Sequence, residues 1–248
     1  MKLKDFFLKN PEAAIAFSGG VDSAYLLYAA MRWGKRVKAY YVKSQFQPEF
    51  ELQDALRLAK DLGADMEVIR VDVLADPVIA SNPENRCYYC KKIIFNEIKT
   101  VAAADGFSLL LDGTNASDDA GDRPGMRALT ELEVRSPLRE CALTKPEIRE
   151  RSKEAGLFTW EKPAYACLAT RIPAGTEIAE EKLQITEQGE RFLAELGFTD
   201  FRIRMMGNGA RLQVPKAQFA MVLAHRKEIT AELKKYYGAV LLDLEERG

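Results

Sequence analysis

Residues 18–23, Ser-Gly-Gly-Val-Asp-Ser, set two adjacent glycines between hydroxyls and a carboxylate at the end of the apolar run 13–17. The amphipathic continuation through Tyr25, Leu26, Leu27 and Met31 predicts strand, tight turn and helix in succession. Paired glycines let the backbone take positive φ and turn its N–H groups toward an anion. The helix adds its unpaired first-turn donors and its positive dipole end. Such a loop suits phosphate. No Gly-Lys-Ser/Thr follows, so it is not a Walker A loop. The glycine pair alone is equally compatible with a turn that holds no ligand. Asp22 is placed to help hold the Mg²⁺ that accompanies departing phosphates. A carboxylate there also simply suits the first turn of a helix.

Sulfur is the second chemistry in the chain. Arg86-Cys-Tyr-Tyr-Cys-Lys-Lys92 puts Cys87 and Cys90 three apart at a helix start, hence on one face, where the helix N-terminus favours thiolate. A single Cys-x-x-Cys fits a redox pair, a metal site or coincidence, and with no second one a four-cysteine zinc site has little support. Cys167 lies in a Pro- and Gly-flanked stretch before Leu168-Ala-Thr-Arg171 and is the better third ligand. Cys141 reads as a buried thiol. Three thiolates with one open position suit a [4Fe–4S] cluster, with three-thiolate zinc as its competitor.

The elements that must position these residues follow the loop in order. A helix runs to about Trp33 and stops at Gly34, and 37–42 is a second strand ending at Lys43-Ser44-Gln45. Pro48 opens a helix with Leu52, Ala55, Leu56, Ala59 and Leu62 at helical spacing, closed by Gly63. A strand at 66–73, a helix from Cys87 to about Ala104 and a strand at 107–111 complete the alternation. Four strand–helix repeats predict a doubly wound parallel α/β sheet covered on both faces. Right-handed crossovers then gather Ser18–Ser23, Ser44, the Cys87 region and Thr114-Asn115 on one sheet edge. Residues 118–125 read as loop, 134–138 as the last strand and 145–156 as a helix. From 176 the pattern changes to a small α+β domain: helix 179–196, strands 201–206 and 210–214, a long helix 216–237 and a strand 239–244. The expected division is 1–175 and 176–248.

Composition narrows the setting. The 248 residues carry a net charge of −1, so bulk attraction to nucleic acid is not expected. Apolar runs fall short of a membrane span and the N-terminus has no signal-peptide core, which predicts a cytoplasmic protein. Cysteines there serve as ligands, reactive thiols or core residues rather than disulfides. With one histidine, His225, histidine-based catalysis or a His-rich zinc site is unsupported.

The hexad 18–23 resembles the loop of the N-type ATP pyrophosphatases, which split ATP between the α and β phosphates and adenylylate a substrate. Together with Asn85-Arg-Cys-Tyr-Tyr-Cys-Lys91, Asp112-Gly-Thr-Asn115, Asp122-Arg-Pro-Gly125 and Ala166-Cys-Leu-Ala-Thr-Arg171 in one order, it resembles the LarE family of ATP-dependent sulfur transferases over nearly the whole chain. The resemblance implies ATP on Ser18, Gly19, Gly20, Asp22, Ser23, Ser44, Thr114 and Asn115. It also implies a pyridinium biscarboxylic acid mononucleotide substrate, converted to thiocarboxylate towards the nickel-pincer nucleotide of lactate racemase. One branch sacrifices the cysteine matching Cys167; a second holds a [4Fe–4S] cluster on residues matching Cys87, Cys90 and Cys167 and passes on a sulfide, and this chain resembles the second. Arg171, Arg202 and Arg204 are candidates for substrate anions, although Arg202-Ile-Arg204 is followed by Met205-Met206 where the family tends to have His. Alternate residues of a solvent-facing edge strand would give the same pattern. Arg86 reads as a structural ion-pair residue. Homo-oligomers of trimeric character are implied as well. A tRNA-thiolating enzyme, a binding module without turnover and an amidating ligase are the alternatives.

Overall fold

The computed structural model describes residues 1–118 and 124–245. Its elements begin with α1 (Leu3–Lys9), β1 (Glu12–Ala16), α2 (Val21–Trp33), β2 (Arg36–Lys43), α3 (Glu49–Leu62) and β3 (Asp65–Arg70). Then come α4 (Pro77–Ala80), α5 (Arg86–Ala104), β4 (Leu110–Leu111), α6 (Pro124–Glu131), α7 (Pro137–Glu140) and α8 (Lys145–Glu154). The chain ends with α9 (Glu180–Glu195), β5 (Arg202–Met206), β6 (Gly209–Gln213), α10 (Phe219–Ala224), α11 (Arg226–Leu233) and β7 (Ala239–Leu242). No helix among the described residues is long and apolar enough to cross a membrane.

Two compact units divide these elements. The first contains 1–73 and 85–162; the second contains 74–84 and the chain from Pro163 onward. The boundary therefore falls before Pro163 rather than between 175 and 176, and the second unit also takes in an early segment. Asn82 supplies the reason within that unit. It is 1% exposed, and its amide donates to the carbonyls of Pro173 (2.8 Å) and Thr176 (3.1 Å). The Gly175 N–H returns to the Asn82 carbonyl at 2.8 Å. A tie spanning 91 residues leaves no local signal in the sequence.

The first unit is the expected parallel sheet, in the order β3-β2-β1-β4. Period-2 alternation sends Ala13, Ile15, Ala39 and Tyr41 to one face, against Phe6, Leu26 and other residues of α1, α2, α3 and α8. Ala14, Tyr40 and Val42 face the other way, against α5 and α6. Both faces are covered, so the strands are almost wholly apolar at their centres. Helix ends follow the expected chemistry: Gly34 closes α2, and Gly63, at φ 64°, closes α3 in the left-handed region.

Three expected elements differ. The strand at 107–111 pairs only through Leu110–Leu111, because the chain is still turning through Gly106 at φ 83°. The strand at 134–138 is a single bridge, Leu111 to Arg135. Pro137 starts α7 immediately afterwards, and a proline at the first helical position is preset for a helix rather than a ladder. The long helix 216–237 is a 3₁₀ turn followed by α10 and α11, with a bend at His225. Two short helices with in-phase apolar faces carry the same periodicity as one long helix.

In the second unit β5 pairs antiparallel with β6, and β6 parallel with β7. Ile203, Ala210 and Leu212 meet Leu193, Val222, Ile229 and Leu233 in its core.

Gly113, two residues after β4, is a tight joint of the first unit. A Cβ placed there would lie 2.9 Å from the Ser23 amide nitrogen and 3.1 Å from Ser23 Cα. Gly113→Ala is expected to cost about 1–3 kcal/mol by overpacking, read as a lower denaturant midpoint at unchanged m-value.

Candidate active site

Strand order reverses at β1: β2 and β3 lie to one side and β4 to the other. Loops leaving the carboxyl ends of β1 and β4 therefore flank the switch point, the usual ligand crevice of a parallel α/β sheet. The loop after β1 is Ser18–Ser23 and the loop after β4 contains Thr114 and Asn115.

The first loop is closed on itself. Ser23 Oγ donates to the Gly20 carbonyl (3.2 Å) and accepts from the Ser18 N–H (3.2 Å). The Ser18 and Ser23 hydroxyls stand 3.0 Å apart, and the Gly20 N–H donates to Ser18 Oγ at 3.4 Å. Both serines thus staple the turn. Gly19 adopts φ 74°, and a Cβ there would come 3.2 Å from Ala55 Cβ of α3. Among the described residues no side chain caps α2, so its first-turn N–H groups are the donors this loop offers.

Asp22 lies on that first turn. Its Oδ2 accepts a 2.5 Å hydrogen bond from Lys145 Nζ, while its buried Oδ1 has no hydrogen-bond partner among the described residues. Burial pushes the carboxyl up from its ordinary value, against the opposing pull of Lys145. Lys145 was not singled out by sequence reasoning. The readable signal was Thr144-Lys-Pro-Glu147, in which the Glu147 carboxylate accepts from the Thr144 N–H (2.8 Å) and hydroxyl (2.6 Å) and so starts α8 at Lys145.

Thr114 and Asn115 are buried loop builders. Asp112 accepts from Thr114 Oγ1 and from Ser136 Oγ, each at 2.5 Å. Asn115 Oδ1 accepts from the Ser117 N–H at 2.8 Å. Ser44, at the carboxyl end of β2, donates through its hydroxyl to Gln47 Oε1 (2.7 Å) and accepts from the Phe46 N–H (3.2 Å). Its hydroxyl makes the turn into α3. Arg86 is buried, with its guanidinium carbon 5.7 Å from the Phe46 ring centroid. Of the Asp122–Gly125 run, Asp122 and Arg123 lie outside the described residues.

The thiols fall in both units. Cys87 is exposed and Cys90 half-buried on the first turn of α5, as their spacing required. Cys141 is half-buried against the core, and burial raises its thiol above the ordinary range. Cys167, also half-buried, precedes the 3₁₀ turn Leu168–Arg171 in the second unit. Among the described residues no group of three or more ligating side chains is arranged to hold a metal ion.

The candidate substrate arginines are largely committed to the second unit itself. Arg171 is 1% exposed. Its Nε and Nη2 pair with Glu190 at 2.7 and 3.1 Å, and its Nη1 donates to the Ala166 carbonyl and Thr170 Oγ1. Burial disfavours the charge, but Glu190 more than offsets this and holds the guanidinium above its ordinary value. Four of the five N–H groups of Arg171, a candidate for a substrate anion, are hydrogen-bonded within the second unit. Arg202, 4% exposed, donates to the carbonyls of Phe201 (2.6 Å) and Ala164 (2.5 Å). Arg204 donates to Gln213 Oε1 (2.6 Å) and the Thr170 carbonyl (2.7 Å). Glu190, the partner of Arg171, has no local signal in the sequence, since it shares the buried face of α9 with Leu183 and Leu193.

A parallel sheet with a glycine-paired loop at its switch point, stapled by serines and followed by an uncapped helix, defines the PP-loop class of ATP pyrophosphatases. The pattern of the queuosine biosynthesis protein QueC family matches residues 12–82, from β1 to Asn82. An uncharacterized protein of Synechocystis is 38% identical over 218 residues, covering 87% of this chain and 81% of that protein. The pyridinium-3,5-bisthiocarboxylic acid mononucleotide synthase of Lactiplantibacillus plantarum is 32% identical over 233 residues, covering 93% of this chain and 84% of the synthase. A tRNA-specific 2-thiouridylase of Thermotoga is 26% identical, covering 72% and 64%. By its likeness to the Lactiplantibacillus enzyme across both units, the chain belongs to the LarE family of PP-loop enzymes.

Exposure and burial set an order of thiol reactivity. Iodoacetamide at neutral pH should modify Cys87 first and Cys141 last, because a raised thiol pKa leaves less thiolate at a given pH. Peptide mass mapping over a time course checks this.

Proposed function

We propose that the protein is an ATP-dependent sulfurtransferase that adenylylates a carboxylate of pyridinium-3,5-biscarboxylic acid mononucleotide and replaces the activated oxygen with sulfur. The Ser18–Ser23 loop is the observation that carries this reading: it offers backbone donors at a switch point, with Asp22 beside them. The substrate carboxylate attacks the α-phosphate of ATP and releases pyrophosphate. Adenylylation turns a poor leaving oxygen into AMP, and a sulfur nucleophile at the acyl carbon then displaces it. In this scheme Gly19 and Gly20 admit the phosphates, while Ser18 and Ser23 keep the turn in shape. Ser44, Thr114 and Asn115 shape the adenosine side of the crevice.

Mg²⁺ fits this site. Asp22 would hold it through Oδ1, a buried oxygen with no hydrogen-bond partner among the described residues, and the ion would neutralise charge on the departing pyrophosphate. Lys145, already on Oδ2, would share in that task. A [4Fe–4S] cluster is a weaker fit. Cys87 and Cys90 have the spacing of two ligands, but no three-ligand group is assembled among the described residues. Cys167 is then the sulfur-handling thiol. In the sacrificial form its sulfur attacks the acyl adenylate; loss of the Cα proton and cleavage of the Cβ–Sγ bond leave dehydroalanine and a thiocarboxylate. In the alternative form an external sulfide attacks and Cys167 survives.

The second unit is assigned substrate binding and self-association, through Arg202 and Arg204 among its polar groups, and the protein is assigned to the cytoplasm. The tRNA-thiolation reading draws on the likeness to the thiouridylase, but a net charge of −1 gives it no electrostatic footprint for RNA.

Incubation with Mg²⁺, ATP and the biscarboxylate nucleotide should release pyrophosphate and AMP and form a thiocarboxylate, seen by mass spectrometry. Intact protein mass then separates a Cys167 that has lost its sulfur from one that has not, and iron and sulfide analysis after anaerobic purification tests the cluster. No pyrophosphate with this substrate would overturn the proposal. Lys145→Met should slow pyrophosphate release by about 10²-fold, the scale of one lost electrostatic contact to transferring phosphate, without moving the melting temperature by more than a few degrees.

A further inference from the structure

The segment that carries Cys167 is held through its backbone by three arginines. Arg202 Nη2 donates to the Ala164 carbonyl (2.5 Å), Arg171 Nη1 to the Ala166 carbonyl (3.0 Å) and Arg204 Nη1 to the Thr170 carbonyl (2.7 Å). Carbonyls on both sides of the cysteine are fixed in this way. The Tyr165 ring takes two of the same cations, with Arg171 Cζ 4.7 Å and Arg202 Cζ 5.0 Å from its centroid.

Two of these residues, Arg171 and Tyr165, meet on one carboxylate. Glu190 Oε1 accepts from Arg171 Nε (2.7 Å) and the Ile203 N–H (3.0 Å). Its Oε2 accepts from Arg171 Nη2 (3.1 Å) and the Tyr165 hydroxyl (2.6 Å). Glu190 is 5% exposed and shares the buried face of α9 with Leu183 and Leu193. Its neighbour Gly189 lets α9 approach closely, since a Cβ there would lie 2.9 Å from both Ile203 Cδ1 and Leu233 Cδ2. A buried ion pair adds little stability over an apolar pair of the same volume. It does set direction: four donors aimed at one carboxylate fix the rotamers of Tyr165 and Arg171, and Arg171 passes that order to the Ala166 carbonyl.

We infer that Glu190 is a positioning residue for Cys167, acting through Arg171 and Tyr165 to hold the 164–170 backbone in the one conformation that presents the thiol. Arg202 and Arg204 complete the clamp on the carbonyls that flank it. This rests on the reading that Cys167 handles the transferred sulfur; the clamp itself is measured without that premise.

Two full-length variants test it, each with a melting curve. Tyr165→Phe keeps the ring and removes one hydrogen bond to Glu190; Glu190→Gln keeps the volume and removes the charge. Amide hydrogen exchange over 164–170 should quicken about tenfold in Tyr165→Phe, and further in Glu190→Gln. ATP-dependent pyrophosphate release should stay within about twofold of wild type, while thiocarboxylate formation falls by about tenfold or more. A residue needed only for overall folding would lower both half-reactions together. Should Glu190→Gln fail to fold, Tyr165→Phe decides. Unchanged exchange over 164–170 in Tyr165→Phe overturns the inference, as does pyrophosphate release falling in step with thiolation. Cys167→Ala serves as the separate control: wild-type thiolation in that variant removes the sulfur-handling role of Cys167, whereas the exchange result still decides whether the clamp exists.

Discussion

The structure of the first unit depends on a backbone-to-backbone approach that only glycine permits. β1 pairs with β2 on one side and β4 on the other, so the chain after β4 must pass directly over the start of α2. Gly113 makes that crossing, with the Ser23 amide nitrogen 2.9 Å from where its Cβ would be. Gly19 performs the matching service against α3, at φ 74° and with Ala55 nearby. A phosphate cradle has to leave N–H groups uncovered while its walls stay rigid. Close glycine contacts supply the rigidity without side chains that would fill the cradle. The two serines finish the task by spending their hydroxyls on the turn itself.

Much of this unit was legible because its signals are local. Hydrophobic runs, helical spacing in α3, Gly34 and Gly63 as stops, and the Ser-Gly-Gly-Val-Asp-Ser loop each act within a few residues. The Cys87–Cys90 pair on the first turn of α5 was legible for the same reason. What failed to show was set by distant partners or by the geometry of one residue. Pro137 turned an apolar run into a helix start after a single bridge. Asn82 drew an early segment into the second unit. Lys145 reached Asp22 across 123 residues of sequence.

The arginines show how far residue type and pattern reach. Arg171, Arg202 and Arg204 read as anion ligands because guanidinium forks suit anions. The same five donors suit carbonyl oxygens, and a chain segment without regular secondary structure exposes many of these. Residues 161–167 form no helix or strand, and their carbonyls would cost free energy if buried unpaired. Arginine can satisfy several from a buried position while keeping its charge, provided that a carboxylate shares the interior. Glu190 is that carboxylate. For Arg171, a carboxylate of the chain itself already faces the guanidinium.

Activation and sulfur delivery, as proposed, place different demands on the protein. Adenylylation needs fixed donors, and the sheet edge of the first unit offers backbone N–H groups on short loops between rigid elements. Delivery, in that proposal, needs a thiol that can reach an acyl carbon, and the proposed one, Cys167, stands on a segment with no ladder to hold it. A strand or helix would have supplied order by repeating hydrogen bonds, but it would also have buried the thiol or fixed its direction by period. Side-chain donors aimed at individual carbonyls order such a segment one group at a time. That arrangement leaves Cys167 only half-buried while the residues on either side of it are held.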